Sequence, residues 1–214
     1  LMYVGAGTSI SILLTILMAF VVSRKKLMLK SFLIKMMMLT MFFSGGMIPT
    51  YLMMQDIGIM GTRFSVILPG LISVTNVIIL RTAFMGIPQG LEECAKIDGA
   101  NDFIVLFKVI VPLSMPAIAV MVLFYGVGRW NSWFDAFLYL RNRELFPLQL
   151  ILREILVESS TDNMMISLGA LNGLDMSEII KYATIIVSTI PILCIYPLLQ
   201  KHFVKGVMIG AIKG

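Results

Sequence analysis

The sequence predicts an all-α membrane protein, a polytopic helical bundle that carries one polar loop. Three observations predict it. Hydrophobic residues make up 58% of the 214 and charged residues only 14%, where soluble domains carry roughly 25% charged residues. The mean hydropathy is +0.94. Five apolar stretches approach the ~20 residues needed to cross ~30 Å of hydrocarbon, and between the third and fourth lies a polar island from Pro88 to Pro112.

The first span runs from about Tyr3 to Val22. Its length, with Ser23-Arg24-Lys25-Lys26 after it, marks a span rather than a cleaved leader. The second runs from about Phe32 to Met54. Gly45, Gly46 and Pro49 interrupt its C-terminal half, either as a kink or as the kind of broken helix that lines substrate cavities. The third, about Phe64 to Phe84, holds a lone amide, Asn76, expected as interhelical glue more than as a substrate contact. The fourth begins near Leu113, with Pro116 in its first turn, and reaches about Leu140. Residues 141–180 then form a long polar connection. Leu148, Leu150, Leu152, Ile155 and Leu156 suggest an amphipathic helix at the interface, and Ser159-Ser160-Thr161-Asp162-Asn163 reads as a loop. The fifth span is about Tyr182 to Leu199.

Charge predicts the orientation. The loop Ser23–Ser31, the loop Arg81–Pro112 and the tail after Gln200 carry ten basic residues: Arg24, Lys25, Lys26, Lys30, Arg81, Lys96, Lys108, Lys201, Lys205 and Lys213. Lys35 snorkels to the same side. The other side keeps six: Arg63, Arg129, Arg141, Arg143, Arg153 and Lys181. By the positive-inside rule, the polar island faces the cytoplasm and residues 141–180 face outward.

The island has internal pattern. Glu92-Glu93-Cys94-Ala95-Lys96-Ile97 reads as a short acidic helix, Asp98-Gly99 as a turn, and Phe103, Leu106, Phe107 and Ile110 as one apolar face of a second helix. Glu93, Cys94 and Ala95, then Gly99, Val109, Val111 and Pro112, resemble the EAA loop of permease subunits in binding-protein-dependent ABC importers. Cys94 stands for one alanine, and the two valines stand for isoleucine and leucine. Trp130-Asn131 resembles the carbohydrate-importing branch. The segment from Phe42 to Tyr51, Phe-Phe-Ser-Gly-Gly-Met-Ile-Pro-Thr-Tyr, resembles a sub-branch tied to complex saccharides.

The resemblance covers most of the chain and implies a single permease domain over residues 1–214, placed in the bacterial plasma membrane. It implies six spans. Five with the start outside and the tail inside, in a chain opening on Leu1, are read as lacking a first span upstream. It also implies a second permease subunit, a pair of cytosolic ATPases, an extracellular solute-binding lipoprotein and a saccharide substrate. No cofactor is expected in this chain, since ATP and Mg belong to the ATPases, and no nucleic-acid partner is expected.

Site residues follow from both readings. Glu93, Ala95, Asp98, Gly99, Phe103, Phe107 and Pro112 are expected to dock the ATPase. Glu93 either faces a basic residue there or is an ordinary solvated acid, while Glu92 is expected to be solvated. Phe103, Leu106 and Phe107 either fill the ATPase groove or pack under the span ends. Pro112 is expected to end the loop helix and start the fourth span. Trp130, Asn131 and Asp135 are the expected substrate path. Asn131 and Asp135, at i and i+4, would share a helical face, and the alternative for Trp130 and Trp133 is an interfacial aromatic belt.

Two other classes compete. A secondary transporter needs coupling-ion residues at mid-membrane, and few ionisable residues lie in the spans. A membrane-embedded enzyme needs a nucleophile with a base, or a metal cluster. His202 is the lone histidine, and no Walker A, G-x-S-x-G or H-E-x-x-H string occurs. No disulfide is expected between Cys94 and Cys194, one in the polar loop and the other in an apolar span.

Overall fold

The computed structural model describes the backbone of residues 1–24, 27–166 and 174–211. Lys25, Lys26 and Lys213 of the charge balance lie outside the described residues, as do residues 167–173 of the long connection and the side chains of Asp175, Lys201, His202 and Lys205.

The first span is one unbroken helix, α1, Met2–Ser23. Gly7, Ser11, Thr15 and Ala19 recur every four residues along it, and all four are buried. Small side chains at that spacing let neighbouring helices approach closely, which matters in lipid because packing replaces the hydrophobic effect as the force between spans.

The second span is broken, as its glycines suggested. α2 (Lys30–Phe42) and α3 (Met47–Asp56) meet at 110°, far more than a kink. Gly46 at the break has φ 85°, a backbone region that L side chains avoid.

The third span departs from expectation. A short turn of helix, α4 (Phe64–Ile67), gives out before Pro69-Gly70, and helix resumes only at α5, Val74–Met85. Leu68 keeps helical angles (φ −65°, ψ −44°), and the helix stops where Pro69 offers no N–H and Gly70 takes φ 70°. At 1.5 Å per residue α5 is about 18 Å long, so the part of this span between α4 and α5 is turn rather than helix.

The polar island forms α6, Gln89–Ile97, and α7, Asp102–Leu113, whose middle, Val105–Ile110, is π-helical. An 83° bend separates α7 from α8, Met115–Asn131. The break falls at Ser114, two residues beyond the expected Pro112. Pro112 offers no N–H and its ring crowds the carbonyl four residues back, so the turn before it is wound wide. The Ser114 N–H then closes the helix on both the Ile110 and Val111 carbonyls, at 3.0 and 3.1 Å. Pro116 lies in the first turn of α8, as expected.

The fourth span also ends early. Ser132-Trp133 interrupt it before α9, Phe134–Tyr139. The Ser132 hydroxyl donates to Asp135 at 3.3 Å, a local bond that competes with helix continuation. The helix expected in the connection is present as α10, Leu148–Ile166, and it runs through Ser159–Asn163, where a loop was expected. Its first turns bury Leu150 and Leu152. The last helix, α11, Leu174–Ala211, contains the apolar stretch Glu178–Pro197.

Two apolar clusters hold the bundle. At the loop end, Phe20, Val77, Leu80, Phe84, Val105, Leu106 and Ile110 pack together. At the other end, Val66, Ala136, Leu140 and Leu150 do so, with Tyr3, Trp133 and Phe146 against them. α2, α3 and the apolar part of α11 expose large apolar side chains, among them Phe42, Phe43, Tyr182 and Leu193, as surfaces facing lipid or another membrane chain do.

Candidate functional site

The polar island folds into a projecting helix-turn-helix. Its turn is a Schellman motif: the Ala100 N–H donates to the Ala95 carbonyl at 2.9 Å and the Gly99 N–H to the Lys96 carbonyl at 3.1 Å. Gly99 takes the left-handed position, φ 83°. Asn101 then caps α7, its Oδ1 accepting from the Ile104 N–H at 2.8 Å. Lys96 and Asp102 pair across the turn at 2.9 Å, and the lysine holds the Asp102 carboxyl below the usual carboxylate range, first by its hydrogen bond and then by its charge. Both side chains are at least half exposed, so the pair adds little to stability.

One face of this unit points inward and the other outward. Ala95 packs against the loop-end cluster. Glu92, one turn back on the same face, is not solvated as expected: both its oxygens bond the Arg24 guanidinium, Nη2 to Oε1 at 3.0 Å and Nη1 to Oε2. Glu93, Cys94, Asp98 and Gly99 are exposed. Phe103, Leu106 and Phe107 of α7 divide. Leu106 is 1% exposed, whereas Phe103 is 67% and Phe107 44% exposed, and Ile97 at the end of α6 is 84% exposed. A groove of about 670 Å³, lined among others by Arg24, Phe84, Glu92, Glu93 and Lys96, runs along the inner edge.

A second polar site lies toward the opposite end. A cavity of about 310 Å³ is lined by Tyr3, Ser73, Asn76, Tyr125, Arg129 and Asp135, among others. The Arg129 guanidinium donates to Ser11 Oγ at 2.9 Å and to the Ile67 carbonyl at 3.2 Å. It lies against Gly7, where an added Cβ would come within 2.7 Å of it. Tyr125 shares a hydrogen bond with Thr15 at 2.8 Å and accepts one from the Ser73 N–H at 3.0 Å. The broken third span supplies that free N–H.

The expected path residues separate. Asp135 lines the cavity, but Asn131 does not and is exposed. The break at Ser132-Trp133 removes the helical register that would have put them on one face. Trp130 turns to α11 and donates from Nε1 to the Ser188 carbonyl at 2.9 Å. Trp133 carries the Arg153 guanidinium 3.2 Å above its ring. Tyr125, Ser73 and Ser11 escaped the sequence reading as site residues. The four-residue stripe of small residues on α1, and Pro69-Gly70, were the available signals. Among the described residues, no group of three or more His, Cys, Asp or Glu is placed to hold a metal ion.

Broken apolar spans around a polar cavity, with a helix-turn-helix projecting from one end, are an arrangement that suits a transport permease. The chain belongs to the family of binding-protein-dependent transport system inner membrane components, whose pattern matches residues 11–134. It is therefore a transmembrane subunit of an ABC importer, a family in which the ATPase is a separate chain. It is 44% identical over 208 residues to the polygalacturonan/rhamnogalacturonan transport system permease protein YtcP of Bacillus subtilis, covering 97% of this chain and 73% of that one. It is 40% identical to the protein LplC of the same organism, over 97% of this chain and 70% of the relative. The fold matches a chain in the crystal structure of a bacterial ABC transporter that imports the acidic polysaccharide alginate. The TM-score is 0.81 and the identity 31%, over 94% of this chain and 71% of that one.

Proposed function

We propose that this subunit forms part of the translocation path for a sugar or oligosaccharide and is driven through residues 88–112 by cytosolic ATPases. The observation that carries the reading is the two-faced loop. Its inner face is spent on the chain's own core, while Glu93, Ile97, Phe103 and Phe107 stay outside on a turn locked by Gly99. An exposed apolar patch rimmed by an acid suits a groove with a basic edge. The saccharide assignment is supported by the named substrates of YtcP and of the alginate importer, and by a cavity rich in hydroxyl, amide and charged groups that can bond sugar hydroxyls.

The proposed assembly holds a second permease subunit, a pair of cytosolic ATPases that bind ATP and Mg, and an extracellular solute-binding lipoprotein in a bacterial plasma membrane. ATP binding closes the ATPases and drags the loop, which rocks the spans between inward- and outward-facing states. Glu93, Ala95, Asp98, Gly99, Phe103, Phe107 and Pro112 serve the docking unit. Asp135, with Arg129 and Tyr125, lines the substrate path.

Two measurements test this. Cys94, exposed on α6, is expected to resist a membrane-impermeant thiol reagent in sealed cells and to react once membranes are opened; labelling in sealed cells would overturn the orientation. Asp135→Asn keeps shape while removing charge. It is expected to weaken uptake of radiolabelled oligogalacturonides several-fold, as loss of one ~1–2 kcal/mol hydrogen bond to substrate would, with basal ATP hydrolysis near normal. Unchanged uptake would remove Asp135 from the path.

A further inference from the structure

We infer that Arg24 and Glu92 form a strut that passes movement of the docking helix α6 to α1. The inference rests on the docking reading of residues 88–112. Three ion pairs occur among the described residues, and this is the one that joins a span end to the loop. Lys96–Asp102 lies within the loop, and Arg143–Glu154 lies at the other end of the bundle.

The arginine is held on the α1 side before it reaches Glu92. Its guanidinium carbon sits 4.0 Å above the Phe20 ring, and its Nε donates to the Phe20 carbonyl at 3.4 Å. Arg81 of α5 braces the same helix end by donating to the Val22 carbonyl at 3.3 Å. A planar fork meeting a carboxylate through two bonds fixes an angle as well as a distance, so it transmits both push and pull. Both side chains are less than a quarter exposed, 24% and 17%, so salt screens the pair less than it would a fully solvated one.

What the strut would move is set by the far part of α1. That helix is continuous from Ser23 back to Met2, and Arg24 is the extended residue that caps its end. It carries Thr15 against Tyr125, Ser11 against Arg129 and Tyr3 at the cavity wall. A shift of α6 therefore reaches three side chains of the outer cavity through one rigid rod. Glu92 thus differs in task from Glu93, its neighbour on the outward face.

The test uses the whole complex, purified with its ATPases in nanodiscs, with Cys94 and Cys194 replaced by serine. Ser132→Cys, at the cavity wall, reports its accessibility to a maleimide before and after trapping with ATP and vanadate. Arg24→Ala and Glu92→Gln are each expected to retain the ATPases and their basal hydrolysis, yet to shrink the ATP-dependent change in labelling rate at least about fivefold, a coupling loss of the usual allosteric size. The charge swap Arg24→Glu/Glu92→Arg is expected to restore most of it. A full-sized labelling change in both single variants would overturn the strut, as would loss of the ATPases from either. Failure of the swap to restore the response would also overturn it. If Glu93→Lys retains the ATPases normally while Arg24→Ala still loses the response, the docking surface is wrong and the strut stands.

Discussion

Gly99→Val is expected to abolish transport while the chain still inserts in the membrane. Gly99 sits at φ 83° and its N–H closes the Schellman turn on Lys96. No atom lies within 4 Å of the place a Cβ would take, so the substitution does not fail by collision. It fails in the backbone, because a β-branched residue at positive φ costs about 1–3 kcal/mol. The turn relieves that cost by opening, which swings Glu93 away from Phe103 and Phe107. Uptake and ATPase retention on purification measure the outcome, with insertion checked by immunoblot of the membranes. Gly99→Asn is expected to keep most activity, since asparagine visits the left-handed region with less strain. Equal losses for valine and asparagine would shift the cause from backbone angle to surface contact. Normal uptake and normal ATPase retention with valine would count against the docking role.

Glu93→Lys is expected to release the ATPases, whereas Glu92→Gln is not. Glu93 is exposed on the outward face, and a charge-assisted contact from it is worth about 1.5–3 kcal/mol, or roughly ten- to hundredfold in affinity. Reversing its charge sets like charges together in a partly dry interface. Glu92 is already engaged by Arg24 within the chain, so its neutralisation acts on the chain's own geometry. Titrating purified ATPase onto each variant distinguishes them. Equal affinities would mean that Glu93 faces solvent in the complex.

Much of this was legible in the residues. The first span, the break at Gly45-Gly46 and the turn at Gly99 depend on apolar length or on glycine's backbone freedom, which act within a few residues. The third span was misread because its apolar content hid Pro69-Gly70. Hydropathy averages over a window, whereas here Pro69 followed by Gly70 at φ 70° ends the helix. The loop expected at Ser159–Asn163 failed for the opposite reason. Those residues have weak local preference against helix, and α10 runs through them toward Ile166.

The division between Glu92 and Glu93 was beyond reach of spacing alone. Both suit an acidic helix, and only the position of Arg24, 68 residues away in sequence, tells the engaged carboxylate from the free one. Phe103 and Leu106 posed the same problem. Both were expected on one apolar face, yet Leu106 packs into the loop-end cluster at 1% exposure while Phe103 stays outside it at 67%.

By itself the sequence determined that the chain is helical, belongs in a membrane, and carries a polar loop that resembles the EAA loop of importer permeases. Those properties follow from composition and from motifs whose members lie close together. The tertiary structure alone decided which polar groups meet. Thr15 finds Tyr125 across 110 positions and Ser11 finds Arg129 across 118. Asp135 reaches the cavity while Asn131 does not. Such encounters depend on where each helix breaks and how it is rotated against its neighbours. A one-residue change in either carries a side chain about 100° around its helix axis, and no local pattern records that angle.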